Sequence, residues 1–106
     1  MGHGTICAVY ITAPDMKEAR KIVAHLLNAR LAACANIFKI SSSYWWKGEI
    51  ENCCEAGIIL KTTKRLVKPL IAEVKRVHPY EVPCVVSWSL EAGNPDYLDW
   101  VARETG

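Results

Sequence analysis

Residues 32–62 carry the hydrophobic and polar pattern of two β-strands. In the first strand, alternate positions place one set of side chains on a single face: Cys34, Asn36, Phe38 and Ile40. The second strand contains an almost unbroken apolar run at residues 56–60, which indicates a strand covered on both faces. Residues 45–49 separate the two strands and predict a turn, so the pair should form a long β-hairpin.

Each arm of this hairpin is long for a chain of 106 residues. Strands usually contain about 5 or 6 residues, and these arms are roughly twice that length. The hairpin should therefore project beyond the body of a small domain and carry Tyr44, Trp45 and Trp46 with it. Because a large exposed apolar patch is rare on a soluble monomer, this arrangement predicts an oligomer.

The segment before the hairpin predicts a strand followed by a helix. Residues 5–12 are apolar and rich in β-branched side chains, as expected of a central strand. Asp15 and Glu18 have the spacing of a capping box, in which an N-cap side chain bonds the backbone three residues later. Apolar residues then recur at helical spacing, which predicts a helix over residues 16–30.

The segment after the hairpin predicts a second helix. Pro69 is tolerated only in the first turn of a helix, because it has no backbone N–H to donate. The helix should therefore begin near Arg65 or Leu66. It should end before Pro79, because the residue that precedes a proline is disfavoured in the helical region.

The last part of the chain predicts a fourth strand and a short third helix. Residues 84–90 alternate between apolar and polar side chains. Asn94 then has the position of an N-cap, and Pro95 follows at the first helical position. The order βαββαβ with a terminal helix predicts an α+β, ferredoxin-like fold: an antiparallel four-stranded sheet with helices on one face. The other face should meet solvent or another subunit.

Length and charge limit the function classes. The chain of 106 residues predicts a single domain, 1–106, in which residues 1–4 form a flexible tail. A formal net charge of only +2, without a long basic run, argues against a nucleic-acid partner. No apolar run reaches the roughly 20 residues that cross a bilayer, and no signal peptide is recognisable, so we expect no membrane partner and a cytoplasmic location.

Five cysteines are present, without a C-x-x-C spacing. An odd number without that spacing argues against a zinc ribbon or a redox pair. Cys7 and Cys34 fall within strand patterns, so we expect them to be buried free thiols that act as small hydrophobic side chains.

The sequence contains no recognisable catalytic motif, and we expect no enzymatic activity. The densest group of functional side chains lies at His78, Tyr80 and Glu81, on a loop that prolines stiffen. One interpretation is a ligand site on a rigid loop. The other is that His78 caps the C-terminus of the second helix, where a cation is favoured, and that Tyr80 only packs.

Four segments resemble, in this order and spacing, the CutA divalent-cation tolerance proteins. They are R-L-A-A-C-A-N-I at residues 30–37, Y-W-W-K-G-E-I-E at 44–51, L-K-T at 60–62 and H-P-Y-E-V-P at 78–83. The resemblance covers almost the whole chain. It implies a small cytoplasmic homotrimer of ferredoxin-like subunits, similar in architecture to the PII signalling proteins. It also implies an association with copper and other divalent metals, without a required cofactor and without a defined reaction.

The resemblance suggests two sets of binding residues. For a metal, the donors would be His78, assisted by Glu81 or Cys84. Members of the family commonly carry glutamate at the position of Cys84, and a thiolate binds soft metals more strongly than a carboxylate does. The family's common cysteine before the Thr-x-Pro turn is replaced here by Ile11, and a second histidine found in some members is replaced by Val77, which weakens a Cys/His copper site.

The alternative is a PII-like regulatory or scaffold trimer. Its intersubunit clefts would bind a small molecule or a partner protein, and Lys61, Tyr80 and Trp46 would be the binding groups.

Overall fold

The computed structural model describes residues 4–106, so that only Gly4 of the predicted tail at residues 1–4 lies within the described part. The elements are β1 (Ile6–Ala13), α1 (Met16–Asn28), β2 (Cys34–Trp46), β3 (Glu49–Thr63), α2 (Val67–Val77), β4 (Val85–Ser89) and α3 (Pro95–Glu104). The strands form one sheet in the order β2-β3-β1-β4, and all neighbouring strands are antiparallel. This order confirms the predicted ferredoxin-like fold.

The two longer helices begin where the sequence predicts. The Asp15 side chain accepts a hydrogen bond of 2.8 Å from the backbone N–H of Glu18, which confirms the predicted N-cap of α1. A short 3₁₀ turn, Lys64–Leu66, precedes α2, and Pro69 lies in the first turn of α2 as predicted.

Helix α1 ends at Asn28 and not at residue 30. The backbone N–H of Arg30 bonds the carbonyl of Leu27, and that of Leu31 bonds the carbonyl of Leu26. Arg30 takes a left-handed φ of 59°. These two bonds and the left-handed residue are the features of a Schellman motif, which ends the helix although no glycine marks the position in the sequence.

Helices α1 and α2 cover one face of the sheet. Between them and the sheet lies the main core, which includes Val9, Ile11, Ala19, Ile22, Leu26, Ala56, Ile58, Leu60, Leu70 and Val74, each at most 2% exposed. Because strand side chains alternate between faces, these residues fix the helix-covered face of β1 and β3. The opposite face carries Tyr10, Gly57 and Lys61.

Helix α3 lies at one end of this opposite face, which refines the prediction of helices on one face only. Its residues Leu98 and Val101 form a second buried cluster with Ile6. The side chain of Ile6 lies on the same face of β1 as that of Tyr10. The C-terminal helix therefore shields the end of the face that α1 and α2 leave open.

Two cysteine predictions have different outcomes. Cys7 is 2% exposed, which confirms that it is a buried free thiol. Cys34 is only partly buried, so the prediction of a buried thiol was wrong for this residue. It lies on the open face at the edge of the sheet, and its Sγ is 3.0 Å from the hydroxyl of Tyr97 in α3.

The β2–β3 hairpin projects from the body as predicted. The two strands pair continuously out to Trp46 and Glu49. Lys47 and Gly48 connect them with positive φ values of 49° and 85°, as in a two-residue type I′ turn. The chain measures 50 Å along its longest axis and 25 Å and 21 Å along the other two.

Candidate functional site

A pocket of about 800 Å³ lies between the hairpin and the loop that follows α2. We call it the hairpin pocket. Its wall consists of residues 41–46 of β2, Glu55 of β3, Thr12 of β1 and residues 80–84 of the loop. The parts of the wall that come from β1, β2 and β3 are held in place by the pairing of these strands. The pocket is therefore largely preformed.

The loop is fixed to the sheet by His78. This residue follows the last turn of α2, and its backbone N–H bonds the carbonyl of Val74. Its Nε2–H donates to the backbone oxygen of Thr12 at 2.7 Å, and its Nδ1 accepts from the N–H of Tyr80 at 3.0 Å. Because a carbonyl oxygen can only accept, Nε2 carries the proton and the ring is the neutral tautomer. His78 is 8% exposed and holds the loop in position.

Glu55 and Tyr80 form the inner wall of the hairpin pocket. Glu55 is a charged residue with only 7% of its surface exposed. The Tyr80 hydroxyl donates a hydrogen bond of 2.5 Å to its carboxylate. Burial and then this bond raise the pKa of Tyr80 well above its usual range. The phenol therefore keeps its proton and acts as a donor to Glu55.

The outer wall is aromatic and comes from the hairpin. Trp45 is 71% exposed, Tyr44 is 40% exposed and Trp46 is 37% exposed. The Tyr44 hydroxyl lies 3.6 Å from Cys53 Sγ on the paired strand. This hydrogen bond is the main cause that raises the pKa of Tyr44 to about 12.

The three predicted metal donors are neighbours in the chain but do not form one ligand set. Glu81 and Cys84 line the hairpin pocket, and Cys84 is exposed. Both nitrogens of His78 are engaged in hydrogen bonds, so neither is free to bind a metal in this conformation. Within residues 4–106, no three histidine, cysteine, aspartate or glutamate side chains are grouped closely enough to hold an ion. The described residues of one chain therefore do not fit a tight metal centre, which needs three or four donors.

The three predicted cleft residues are divided between two places. Trp46 and Tyr80 both line the hairpin pocket. Lys61 lies further along β3, where its Nζ is 6.0 Å from the centre of the Tyr97 ring in α3. The structure thus brings two of these three residues together and leaves Lys61 outside the pocket.

Glu55 is a functional residue of the pocket that was not predicted from the sequence. It directly precedes the apolar run 56–60. A single carboxylate next to such a run could have been taken as an indication of a functional residue. Its partner Tyr80 lies 25 residues away in the chain. The pairing therefore depends on the tertiary structure.

Comparison with known proteins gives a consistent result. The profile of the family described as CutA1 divalent ion tolerance protein matches residues 7–104. The divalent-cation tolerance protein CutA of Pyrococcus horikoshii is 44% identical over 97 residues, which are 92% of this chain and 95% of that protein.

Solved structures agree with this match over the same length. The crystal structure of CutA1 from Oryza sativa has a TM-score of 0.94 at 34% identity and covers 97% of this chain and 95% of that one. The periplasmic divalent cation tolerance protein CutA from Archaeoglobus fulgidus has a TM-score of 0.91 at 40% identity, covering 93% of this chain and 97% of that one. In the part of the chain that the structure describes, none of the helices has the length and apolar character needed to span a membrane.

Proposed function

Since this chain belongs to the CutA1 divalent ion tolerance family, we propose that it acts in divalent-cation tolerance as a cytoplasmic homotrimer that binds copper or a related soft cation weakly. The relative from Pyrococcus horikoshii is named a divalent-cation tolerance protein, which supports the general role. In this proposal the chain binds its ligand and catalyses no reaction.

The exposed thiol of Cys84 on the wall of the hairpin pocket carries the metal-binding part of the proposal. A thiolate prefers soft metals such as copper, and the carboxylate of Glu81 lines the same pocket. His78 can join these donors only after it releases the carbonyl of Thr12 or the N–H of Tyr80. Binding should therefore be weak, because two donors are fewer than a tight centre uses.

Titration with Cu(I) under anaerobic conditions, against a competing chromogenic chelator, tests this proposal. We expect Cys84→Ser to abolish most of the binding. Cys54→Ser is the matched control, because Cys54 is also exposed but does not line the pocket. His78→Ala should have a smaller effect than Cys84→Ser. Equal binding by Cys84→Ser and the wild type would refute a pocket metal site.

Exposed apolar side chains support the proposed homotrimer. Trp45 is 71% exposed, Ile50 57%, Val86 51% and Trp88 47%. A single chain leaves these side chains in water, and contact with other copies would cover them. Sedimentation equilibrium at micromolar concentration tests the assembly: a folded monomer would contradict it.

A second candidate function is the binding of a small organic molecule, as in a PII-like regulatory trimer. The volume of the hairpin pocket, about 800 Å³, supports it, because ligand pockets commonly measure about 300–1,000 Å³. Aromatic side chains with a few polar groups, such as Trp46 with Tyr80, are also typical of such pockets.

A further inference from the structure

The charge of the hairpin pocket differs from that of the whole chain. The chain has a formal net charge of +2. Among residues 4–106, the pocket wall contains two carboxylates, Glu55 and Glu81, and no lysine, arginine or histidine. The pocket is therefore locally negative on a slightly positive protein, which favours a cationic ligand and disfavours an anion.

Glu55 is a buried carboxylate that has no cationic partner in the part of the chain that the structure describes. The ion pairs among residues 4–106 involve Glu18, Glu73 and Glu104 and not Glu55. Among the described side chains, its hydrogen-bond donor is the neutral phenol of Tyr80. Buried charges in proteins are usually paired, because removal of a charge from water is costly unless an opposite charge or several donors replace the water. A cation that enters the pocket would supply this missing partner.

The aromatic residues that line the pocket together with Glu55 suit an organic cation. Tyr44 and Trp46 line the same pocket, and in the register they lie on the same face of the hairpin as Glu55. Indole and phenol rings attract ammonium and guanidinium groups through their electron-rich faces. Trp46 already has one such contact, because the Nζ of Lys47 lies 5.7 Å from the centre of its ring.

We propose that the hairpin pocket binds an organic cation, a primary ammonium or guanidinium group on an apolar body, with the charge paired to Glu55 and the body against the aromatic wall. This inference rests on the small-molecule candidate described under the proposed function and names the chemical class of the ligand. Tyr80 holds the Glu55 carboxylate in position, and a bare metal ion would not use the apolar surface.

Calorimetric titration of the full chain with phenethylamine, which is positively charged at neutral pH, tests the proposal. Phenethyl alcohol, a neutral molecule of nearly the same shape, is the ligand control. We expect saturable binding of the amine and at least about tenfold weaker binding of the alcohol.

Glu55→Gln is the decisive variant. The amide oxygen of glutamine can still accept the hydrogen bond from Tyr80, so the loop should stay in place while the negative charge is removed. We expect about tenfold or greater loss of amine affinity in this variant. Glu91→Gln, which removes one charge from an exposed residue outside the pocket, should bind the amine like the wild type.

The remaining outcomes decide against the proposal. Equal affinity for amine and alcohol, or unchanged amine affinity in Glu55→Gln, would show that no cation pairs with Glu55. If Glu55→Gln instead dissociates the oligomer in sedimentation, the pocket is filled by a side chain of a second copy, and the proposal is wrong. Failure of the metal proposal can be distinguished from these outcomes. It would appear as equal Cu(I) binding by Cys84→Ser and the wild type, and amine binding would stay intact.

Discussion

Strand β3 passes from the body of the protein into the hairpin, and the surroundings of its side chains change at Glu55. On the body side, Ala56, Ile58 and Leu60 are completely buried. On the hairpin side, residues 49–52 are exposed, and Ile50 has 57% of its surface in contact with solvent. The strand pairing with β2 continues through both parts.

This contrast indicates that the body of the protein provides stability and that the hairpin provides a surface for interaction. In the body, α1 and α2 cover the apolar side chains, so the transfer of these side chains out of water stabilises the fold. The hairpin has regular backbone pairing but no layer of its own to cover Trp45 and Ile50. Its apolar side chains are therefore available to a ligand or to another chain.

Thiol labelling should show the largest difference between the two regions. Cys54 of the hairpin is exposed, whereas Cys7 of the body is 2% exposed. Since Cys7 can react only after the structure opens, we expect Cys54 to react on the order of a thousandfold faster or more. Peptide mapping of the native protein after timed labelling measures both rates. Cys34 should fall between them, and similar rates for Cys7 and Cys54 would show that β1 is not a protected central strand.

The same substitution at two positions of β3 tests the contrast in stability. Ile58→Ala removes a completely buried side chain from the main core, and we expect it to lower the free energy of unfolding by about 2–5 kcal/mol. Ile50→Ala is the matched control at an exposed position of the hairpin and should have a smaller effect. Denaturant unfolding of both variants at one protein concentration gives the comparison. An equal loss would mean that the hairpin is as important for stability as the body.

A smaller effect is expected at Gly57, where the hairpin leaves the body. A Cβ atom at this position would lie 2.6 Å from Cε2 and 2.9 Å from Cζ of Phe38 on β2. Because the ring must move, we expect Gly57→Ala to lower the free energy of unfolding by about 1–3 kcal/mol. Phe38→Leu removes the ring. In a protein that carries Phe38→Leu, the additional change Gly57→Ala should therefore lower the free energy of unfolding by less than it does in the wild type. Additive losses would mean that Phe38 is not the cause.

Local sequence signals predicted most of the fold. The apolar pattern of β2, the Asp15–Glu18 spacing and Pro69 are signals that involve only a few neighbouring residues. The structure confirms the strand, the N-cap of α1 and the position of Pro69 in the first turn of α2. The position of α3 was not predictable in this way, because the apolar stripe of a helix does not specify which face of a sheet it will cover.

The candidate site was predicted only in part, for the same reason. Its loop was visible from His78, Tyr80 and Glu81, which are close in sequence. The contacts that form the pocket are not local: His78 bonds Thr12, 66 residues away, and Tyr80 bonds Glu55. Sequence spacing carries no information about these distances, so the role of His78 in holding the loop became clear only in the structure.

The smallest expected effect concerns the outer surface of the body, where α1 and α2 meet. Glu73 accepts hydrogen bonds from Arg76 Nε at 2.6 Å and lies 2.8 Å from His25 Nε2. Arg76 first, and His25 second, lower the pKa of Glu73 from its ordinary 4.5 to about 2. Because the pKa is lowered in the folded state, the stabilising contribution is complete above about 4.5 and is lost as the pH falls toward 2. Solvent screening at this surface keeps the contribution small.

Unfolding by urea at a series of acidic pH values measures this contribution. Glu73→Gln should be slightly less stable than the wild type at neutral pH, and the difference should shrink as the pH falls from 4.5 toward 2. Glu18→Gln is the control, because the contact of the Glu18 carboxylate with Lys21 is longer, at 3.5 Å. A difference between Glu73→Gln and the wild type that does not change over this range would mean that glutamine disturbs the packing of α2 and that the ion pair contributes nothing. The pH dependence, and not the size of the loss, therefore identifies the charge interactions of Glu73, first with Arg76 in α2 itself and second with His25 in α1.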